Sequence, residues 1–227
     1  GTTSTSFTTR DTSIQGAYAG VSASGSLLMT GAASFGSPSG LFHISSSGTF
    51  ATLVADFSPY SGGVAMNESG DVFIGYSDAT GSGNDNNIYR YSNAQIAAAI
   101  AGTPLDFAAA TYVGNLGVSG SLAYDPVENR LYAAGWQLGS GIAALDLDTN
   151  ETYTHTLPGD GNYAVTTFSD GSNGYVGWVS RSGWMGGDTV TYGYDFASSL
   201  PVPEPSTALL LTAVLTSAMF RRNRCHA

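Results

Sequence analysis

Lysine is absent from this 227-residue chain, and Arg10, Arg90, Arg130 and Arg181 are the only Lys or Arg residues before residue 202, against sixteen carboxylates. That part of the chain carries a formal charge of −12. Nucleic acid is excluded as a partner, because binding it requires a basic face that displaces counterions from phosphate. Cysteine is equally scarce. Cys225 is the only one and lies at the extreme C-terminus, so the body has no disulfide and no thiolate metal site, and its stability must come from packing and backbone pairing. Charged residues make up 11% of the chain, against roughly a quarter in ordinary soluble domains. Gly, Ser, Thr and Asn do the solvating instead, a composition common in secreted proteins. No Gly-x-Ser-x-Gly elbow surrounds any serine, so the sequence offers no hydrolase nucleophile of that kind. His43 and His155 are more than a hundred residues apart and read as strand residues, leaving no candidate catalytic residue.

What is present is concentrated at the end of the chain. Val202-Pro203-Glu204-Pro205-Ser206-Thr207 precedes a predominantly apolar, uncharged run from Ala208 to Phe220, and Arg221, Arg222 and Arg224 follow. Two prolines flanking a glutamate lack amide donors and hold the backbone extended, which keeps the segment accessible to an enzyme. The apolar run is thirteen residues long, shorter than the ~20 of a comfortable span. Ser206, Thr207 and snorkelling arginines extend it to a thin, temporary anchor. By the positive-inside rule the arginines stay cytoplasmic and residues 1 to about 200 lie on the far side.

This tail resembles the PEP-CTERM sorting signal of Gram-negative bacteria: a Pro-Glu-Pro motif, a short membrane helix and a basic cluster, in that order. The resemblance implies an exosortase as partner, with Pro203, Glu204 and Pro205 as the sorting motif and Arg221, Arg222 and Arg224 as the basic cluster. It implies transient anchoring in the inner membrane, then release to the cell envelope or the extracellular matrix. The chain begins Gly1-Thr2-Thr3 with no apolar leader, and export predicts a signal segment upstream.

Between the ends runs a repeat. Four segments share a small-residue turn leading into an apolar strand, and their first apolar positions, Leu27, Val72, Leu131 and Tyr175, are 45, 59 and 44 residues apart. Before the turns come Gly63–Met66, Ser121–Tyr124 and Ala164–Phe168, with Gly20–Ala23 as a weaker version, so each unit opens with a β-hairpin. Third strands are predicted at Leu41–Ile44, Ile88–Tyr91, Ile142–Leu145 and Val190–Tyr194, and fourth strands at Phe50–Val54 and Thr152–Leu157. A short helix over Asn93–Ala101, stopped by Gly102-Thr103-Pro104, accounts for the longer interval. Four strands in roughly 45 residues is the size of a β-propeller blade. The repeats are similar to those of NHL or lactonase-like propellers, which implies an all-β, partial β-propeller of about four blades, an open portion of a larger ring. A β-sandwich and a solenoid are compatible with the same pattern. The expected organisation is an N-terminal remnant with a partial strand at 1–19, propeller-like repeats at 20–196, a linker with the Pro-Glu-Pro motif at 197–207, a transmembrane helix at 208–220 and a basic cytoplasmic tail at 221–227.

Two loops have oxygen ligands suited to Ca²⁺. Ser77–Asn87 lacks the spacing of a calcium loop, and Asp146–Glu151 has glutamate where glycine is required. The first reads better as a solvated loop and the second as a hairpin turn, so no metal site is assigned, with Ca²⁺ as the open alternative. Asp148–Thr152 also resembles the acidic acceptor sequon of bacterial N-glycosylation, and Asn67-Glu68-Ser69 is a bare sequon. Trp136 and Trp178 fall at matching places in their repeats, which reads as packing between blades. Trp184, in Arg181–Gly187, is the candidate exposed binding residue, suited to stacking on an extracellular polysaccharide. The reading is an exported structural or binding component of the envelope or biofilm matrix. The alternative is an exported propeller enzyme of lactonase, lyase or phytase type, which would gather acidic, His and Asn side chains at one mouth of the central channel. If the tail is a processing signal, mass spectrometry of secreted protein finds a C-terminus close to Pro205; Arg224 intact on extracellular material would contradict it.

Overall fold

The computed structural model describes residues 15–21, 26–32, 37–58, 60–77, 86–135, 141–156, 162–181 and 190–196. The tail, with its Pro-Glu-Pro motif, apolar run and arginines, lies outside the described residues, as do Trp136, Trp184 and residues 78–85 of the first oxygen-rich loop. No described helix is long and apolar enough to cross a membrane.

The described chain is almost entirely antiparallel sheet, in four consecutive meanders. The first holds β1 (Gln15–Val21), β2 (Leu27–Ala32), β3 (Ser39–Ile44) and β4 (Phe50–Ser58). The second holds β5 (Tyr60–Met66), β6 (Val72–Ser77), β7 (Asn87–Tyr91) and β8 (Thr111–Asn115). The third holds β9 (Ser121–Asp125), β10 (Arg130–Ala134), β11 (Gly141–Asp146) and β12 (Thr152–Thr156), and the fourth holds β13 (Asn162–Ser169), β14 (Gly174–Arg181) and β15 (Val190–Phe196). In every sheet, spatial order equals chain order, the β-propeller-like pattern in which each unit is complete before the next begins.

Three apolar clusters hold the sheets together, one at each junction. Leu28, Leu41, Leu53 and Val54 of the first sheet pack on Val64, Val72, Ile74 and Tyr91 of the second. Ala65, Phe73 and Ile88 of the second meet Leu122, Leu131, Ala133 and Leu145 of the third. Tyr132, Ile142 and Ala144 of the third meet Val165 and Val176 of the fourth. The strand alternation explains the near-continuous apolar runs, because both faces of a middle sheet are covered. Each fully buried Leu, Ile or Val contributes roughly 1.5–3 kcal/mol.

The first strands of successive sheets converge, and small residues make that convergence possible. A Cβ on Gly63 would collide with the backbone N of Leu122, and one on Gly75 would lie 2.6 Å from the Ser119 carbonyl oxygen. Hydroxyls cross the remaining gaps to unpaired backbone: Thr30 donates to the Gly62 carbonyl, Thr167 to the Tyr124 carbonyl, and Ser121 Oγ accepts from Val165 N–H at 3.2 Å.

The helix α1 (Asn93–Ile100) forms where expected. Ser92 and Gln95 make a capping box, Ile96 and Ala99 are its buried face, and Gly102 at φ +107° follows its C-cap Ala101. It covers the first junction together with a 3₁₀ turn at Phe107–Ala109, and Leu105 N–H donates to Leu53 O. β1 starts at Gln15, in the segment where a partial strand is expected. Two expectations change. The second sheet has a fourth strand, β8, behind this insertion. In the fourth sheet Val176, not Tyr175, faces the preceding sheet as Leu131 does, because the β13–β14 hairpin is one pair longer before its turn. Gly63→Ala is expected to lower stability by roughly 1–3 kcal/mol, read as a shift in the denaturation midpoint, whereas Gly48→Ala, with nothing within 4 Å of the new Cβ, costs only the strain of its φ of +83°.

Candidate functional site

The sheets have two ends. One carries the hairpin turns at 67–71, 125–130, 146–152 and 169–174; residues 33–36, 78–85, 136–140 and 182–189 lie outside the described residues. The described end brings chemistry-bearing side chains together in two places.

The first is a cleft of about 280 Å³ between the second and third sheets. Asn67 comes from the β5–β6 turn, Phe73 and Arg90 from β6 and β7, Thr111 and Tyr112 from the edge strand β8, and Asn129 and Asn150 from turns of the third sheet. Each asparagine is where it is for a backbone reason. Asn67 Oδ1 accepts the Asp71 N–H at 2.8 Å to close its turn, while Asn129 and Asn150 take the left-handed φ values of 49° and 59° that asparagine tolerates best after glycine. Asn129 is also clamped, donating to Asp148 at 2.7 Å and accepting from Tyr124 Oη at 3.0 Å. Arg90 lies 3.8 Å from Asp71 across the turn, an exposed pair of little energetic weight. Tyr112 is 56% exposed, and its ring packs edge-on against Tyr89, on the face of β8 turned away from the third sheet. The cleft lining contains amides, a hydroxyl, a guanidinium and the Phe73 ring but no carboxylate. Such a lining offers hydrogen-bond donors and acceptors and, among the described residues, neither a carboxylate nor an imidazole.

The second place is a buried polar row across the third sheet, where Arg130 pairs in register with Asp125 on one side and Asp146 on the other. Arg130 is 5% exposed. Its Nε lies 3.4 Å from Asp146 Oδ2, NH1 is 3.7 Å from Glu128, and the guanidinium sits 5.6 Å from the centre of the Tyr153 ring. Asp125 is fully buried, its Oδ1 accepting the Val127 N–H at 3.0 Å, and its carboxylate occupies the space that any side chain at Gly174 would need. Asp125 Oδ2, Tyr132 Oη and Tyr153 Oη have no hydrogen-bond partner among the described residues. The environments of the two acids are opposed. Burial pushes the Asp125 pKa up, more than the Val127 N–H and Arg130 draw it down. At Asp146 burial also pushes up, but the N–H groups of Thr149 and Asp148 and the Arg130 side chain outweigh it and hold the pKa below the usual carboxylate value. The row is a structural brace at the third junction, since Tyr132 and Tyr153 pack into that core.

Asp146–Glu151 forms the β11–β12 hairpin: Asp146 Oδ1 accepts from the N–H groups of Asp148 and Thr149, at 3.0 and 2.9 Å. No group of three or more His, Cys, Asp or Glu side chains among the described residues is placed to hold a metal ion. His43 is buried on β3, where desolvation lowers its pKa, and His155 is in a different sheet, on β12. Trp178 packs against the third junction. Trp184, Pro203, Glu204, Pro205, Arg221, Arg222 and Arg224 lie outside the described residues. Arg90, Tyr112 and Asn129 were not singled out by sequence, because the cleft joins residues from six separate segments.

No protein-family model matches the chain, and no curated protein matches it. Among solved structures it is similar to a luciferin-regenerating enzyme, with a TM-score of 0.55 at 11% identity, covering 82% of this chain and 62% of that one. It is also similar to regucalcin, a calcium-binding protein from Agrobacterium tumefaciens, at TM-score 0.49, 14% identity and coverage of 74% and 54%. A third match, a protein from Bacteroides thetaiotaomicron, has a TM-score of 0.46 at 17% identity, with coverage of 75% and 42%. The chain thus spans less than two thirds of the length of each. At such identities the first likeness speaks to the β-propeller-like fold alone.

Because Asp125 has a folded-state pKa above its unfolded one, its ionisation opposes folding: its contribution weakens stability as pH rises through that window. Asp125→Asn is therefore expected to be at least as stable as the wild type at neutral pH, with the advantage vanishing as pH falls into the carboxylate range. Arg130→Met, which leaves the buried Asp125 carboxylate without its neighbouring cation, is expected to cost roughly 3–5 kcal/mol. Chemical denaturation across a pH series reads both.

Proposed function

We propose that this chain is an exported binding module of the cell envelope or biofilm matrix, a β-propeller-like body delivered by a C-terminal PEP-CTERM signal. In this reading the body is an open, four-bladed portion of a propeller, an exosortase processes the chain near Pro203-Glu204-Pro205, and the 208–220 helix is a temporary inner-membrane anchor. The ligand is an extracellular polysaccharide.

The observation that carries the ligand class is the carboxylate-free cleft between the second and third sheets, lined by Asn67, Asn129 and Asn150 together with Thr111 and Phe73. Sugars present hydroxyls at their edges and C–H groups on their faces, and such a lining answers both. The strongly acidic body favours neutral or weakly charged chains over polyanions. Asn150→Gly, which keeps the left-handed turn and removes a cleft amide, is expected to lower affinity for exopolysaccharide purified from the producing strain roughly three- to tenfold in affinity electrophoresis, with no shift in thermal midpoint. Retention unchanged by Asn150→Gly, or no retention of the wild type, would refute the cleft as the binding site. Replacing Pro203, Glu204 and Pro205 by alanine is expected to trap the protein in the membrane fraction, and normal release would refute the sorting assignment separately.

A further inference from the structure

We infer that Asn150 is an N-glycosylation site, modified on export by a transferase that reads Asp148-Thr149-Asn150-Glu151-Thr152. The inference rests on the export reading proposed above, because this modification belongs to secreted chains. Two Asn-x-Ser/Thr sequons occur in the sequence, Asn67-Glu68-Ser69 and Asn150-Glu151-Thr152, neither with proline in the middle. The structure separates them. Asn67 is half-buried and its carboxamide is committed: Oδ1 accepts the Asp71 N–H at 2.8 Å, while the main chain closes the same turn from Gly70 N–H to Asn67 O and from Asn67 N–H to Asp71 O. Presenting that amide to an enzyme would break the β5–β6 turn. The residue two places before it is Ala65, which is no acid.

Asn150 is in the opposite situation. It sits in the β11–β12 hairpin turn, where Asp148, Thr149, Asn150, Glu151 and Thr152 are all exposed. That turn is held without the asparagine side chain. The Asp146 carboxylate accepts the N–H groups of Asp148 and Thr149, and Asn150 contributes only its backbone, with φ at +59° and its N–H donating to Asp146 O at 2.9 Å. Among the described residues, neither the Asn150 carboxamide nor the Thr152 hydroxyl makes a hydrogen bond. Asp148 accepts from Asn129 Nδ2 at 2.7 Å through Oδ1, which steadies the acid at the surface. Acid, amide and hydroxyl thus stand at the acceptor spacing on one exposed turn, the kind of place where a modifying enzyme can reach the chain.

The donor is an oligosaccharide joined to a lipid through a diphosphate. Asn150 Nδ2 forms a bond to the anomeric carbon, the bond from that carbon to the diphosphate oxygen breaks, and the lipid diphosphate leaves with the electron pair. The amide nitrogen gives one proton to the transferase, and nothing is oxidised or reduced. Because Asn150 also lines the cleft, modification and ligand binding compete for one amide, and the fraction of chains modified sets the capacity of the cleft.

Peptide mass spectrometry of the protein released by the producing strain tests the site. A sugar mass is expected on Asn150 and none on Asn67, with complete loss in Thr152→Val and retention in Thr152→Ser, which keeps the hydroxyl. Thr152 is exposed on the edge strand β12, and valine suits a strand, so the sheet survives the change. If Thr152→Val is not released, the wild-type peptides decide alone. Released wild-type chain with a bare Asn150 would overturn the inference, as would sugar on Asn67 or sugar that survives Thr152→Val. Chain that never leaves the cytoplasm would overturn the export reading and this site with it, and cell fractionation tells the two failures apart. The cleft is assayed on chain made in a host without the transferase, so its failure is read separately.

Discussion

The fold depends on bringing the first strands of successive sheets close together without side chains in the way. Gly63 and Gly75 leave room for the backbone of the next segment, and Ser121, Thr30 and Thr167 spend their hydroxyls on carbonyl and N–H groups of the neighbouring sheet. A chain with no disulfide in its body has no covalent means to hold such sheets. The convergence therefore has to be stabilised by the three apolar junctions, and their residues are correspondingly almost completely buried. Small residues at the inner edge and large ones farther out are two sides of one geometric requirement.

That requirement also places the polar chemistry. With the junction interiors apolar, polar groups collect at the sheet ends, where the turns need asparagine and aspartate for their backbone conformations. The cleft asparagines are turn residues first, and they line a shared space because one turn of the second sheet lies beside two turns of the third. Arg130 is the exception, a cation drawn into the junction and held between two acids and a tyrosine ring. Asp146 is well solvated by backbone donors and Asp125 is not, so the brace is asymmetric.

Much of the fold could be read from the sequence because each sheet is local: hairpins with Asn, Asp and Gly turns lead into apolar strands at a nearly constant interval. The α1 helix was legible for the same reason, with its cap, its alanines and Gly102 all within a dozen residues. Strand β8 was hidden because the insertion displaces it from the expected spacing, and Thr-Tyr-Val-Gly-Asn carries no turn of its own to mark it. The slip of Tyr175 against Val176 follows from a hairpin one pair longer, which changes face without changing composition. The cleft was illegible for a different reason. Asn67, Arg90, Tyr112, Asn129 and Asn150 belong to separate segments, and only the stacking of the second sheet on the third joins them. The C-terminal tail is the reverse case: its Pro-Glu-Pro motif, apolar run and arginines are the most legible pattern in the sequence, and they lie outside the described residues.

The central claim is that consecutive sheets stack through their first strands, and a cysteine cross-link tests it most directly. Ser121 and Val165 are 44 residues apart in sequence, and the Ser121 hydroxyl lies within hydrogen-bond distance of the Val165 backbone. With Cys225 replaced by serine, cysteines at positions 121 and 165 should oxidise to an intramolecular disulfide under mild conditions, visible as a faster-migrating band that reduction abolishes. A pair that stays reduced, while a control pair within the β9–β10 hairpin closes, would contradict the stacking and with it the cleft and the propeller-like body.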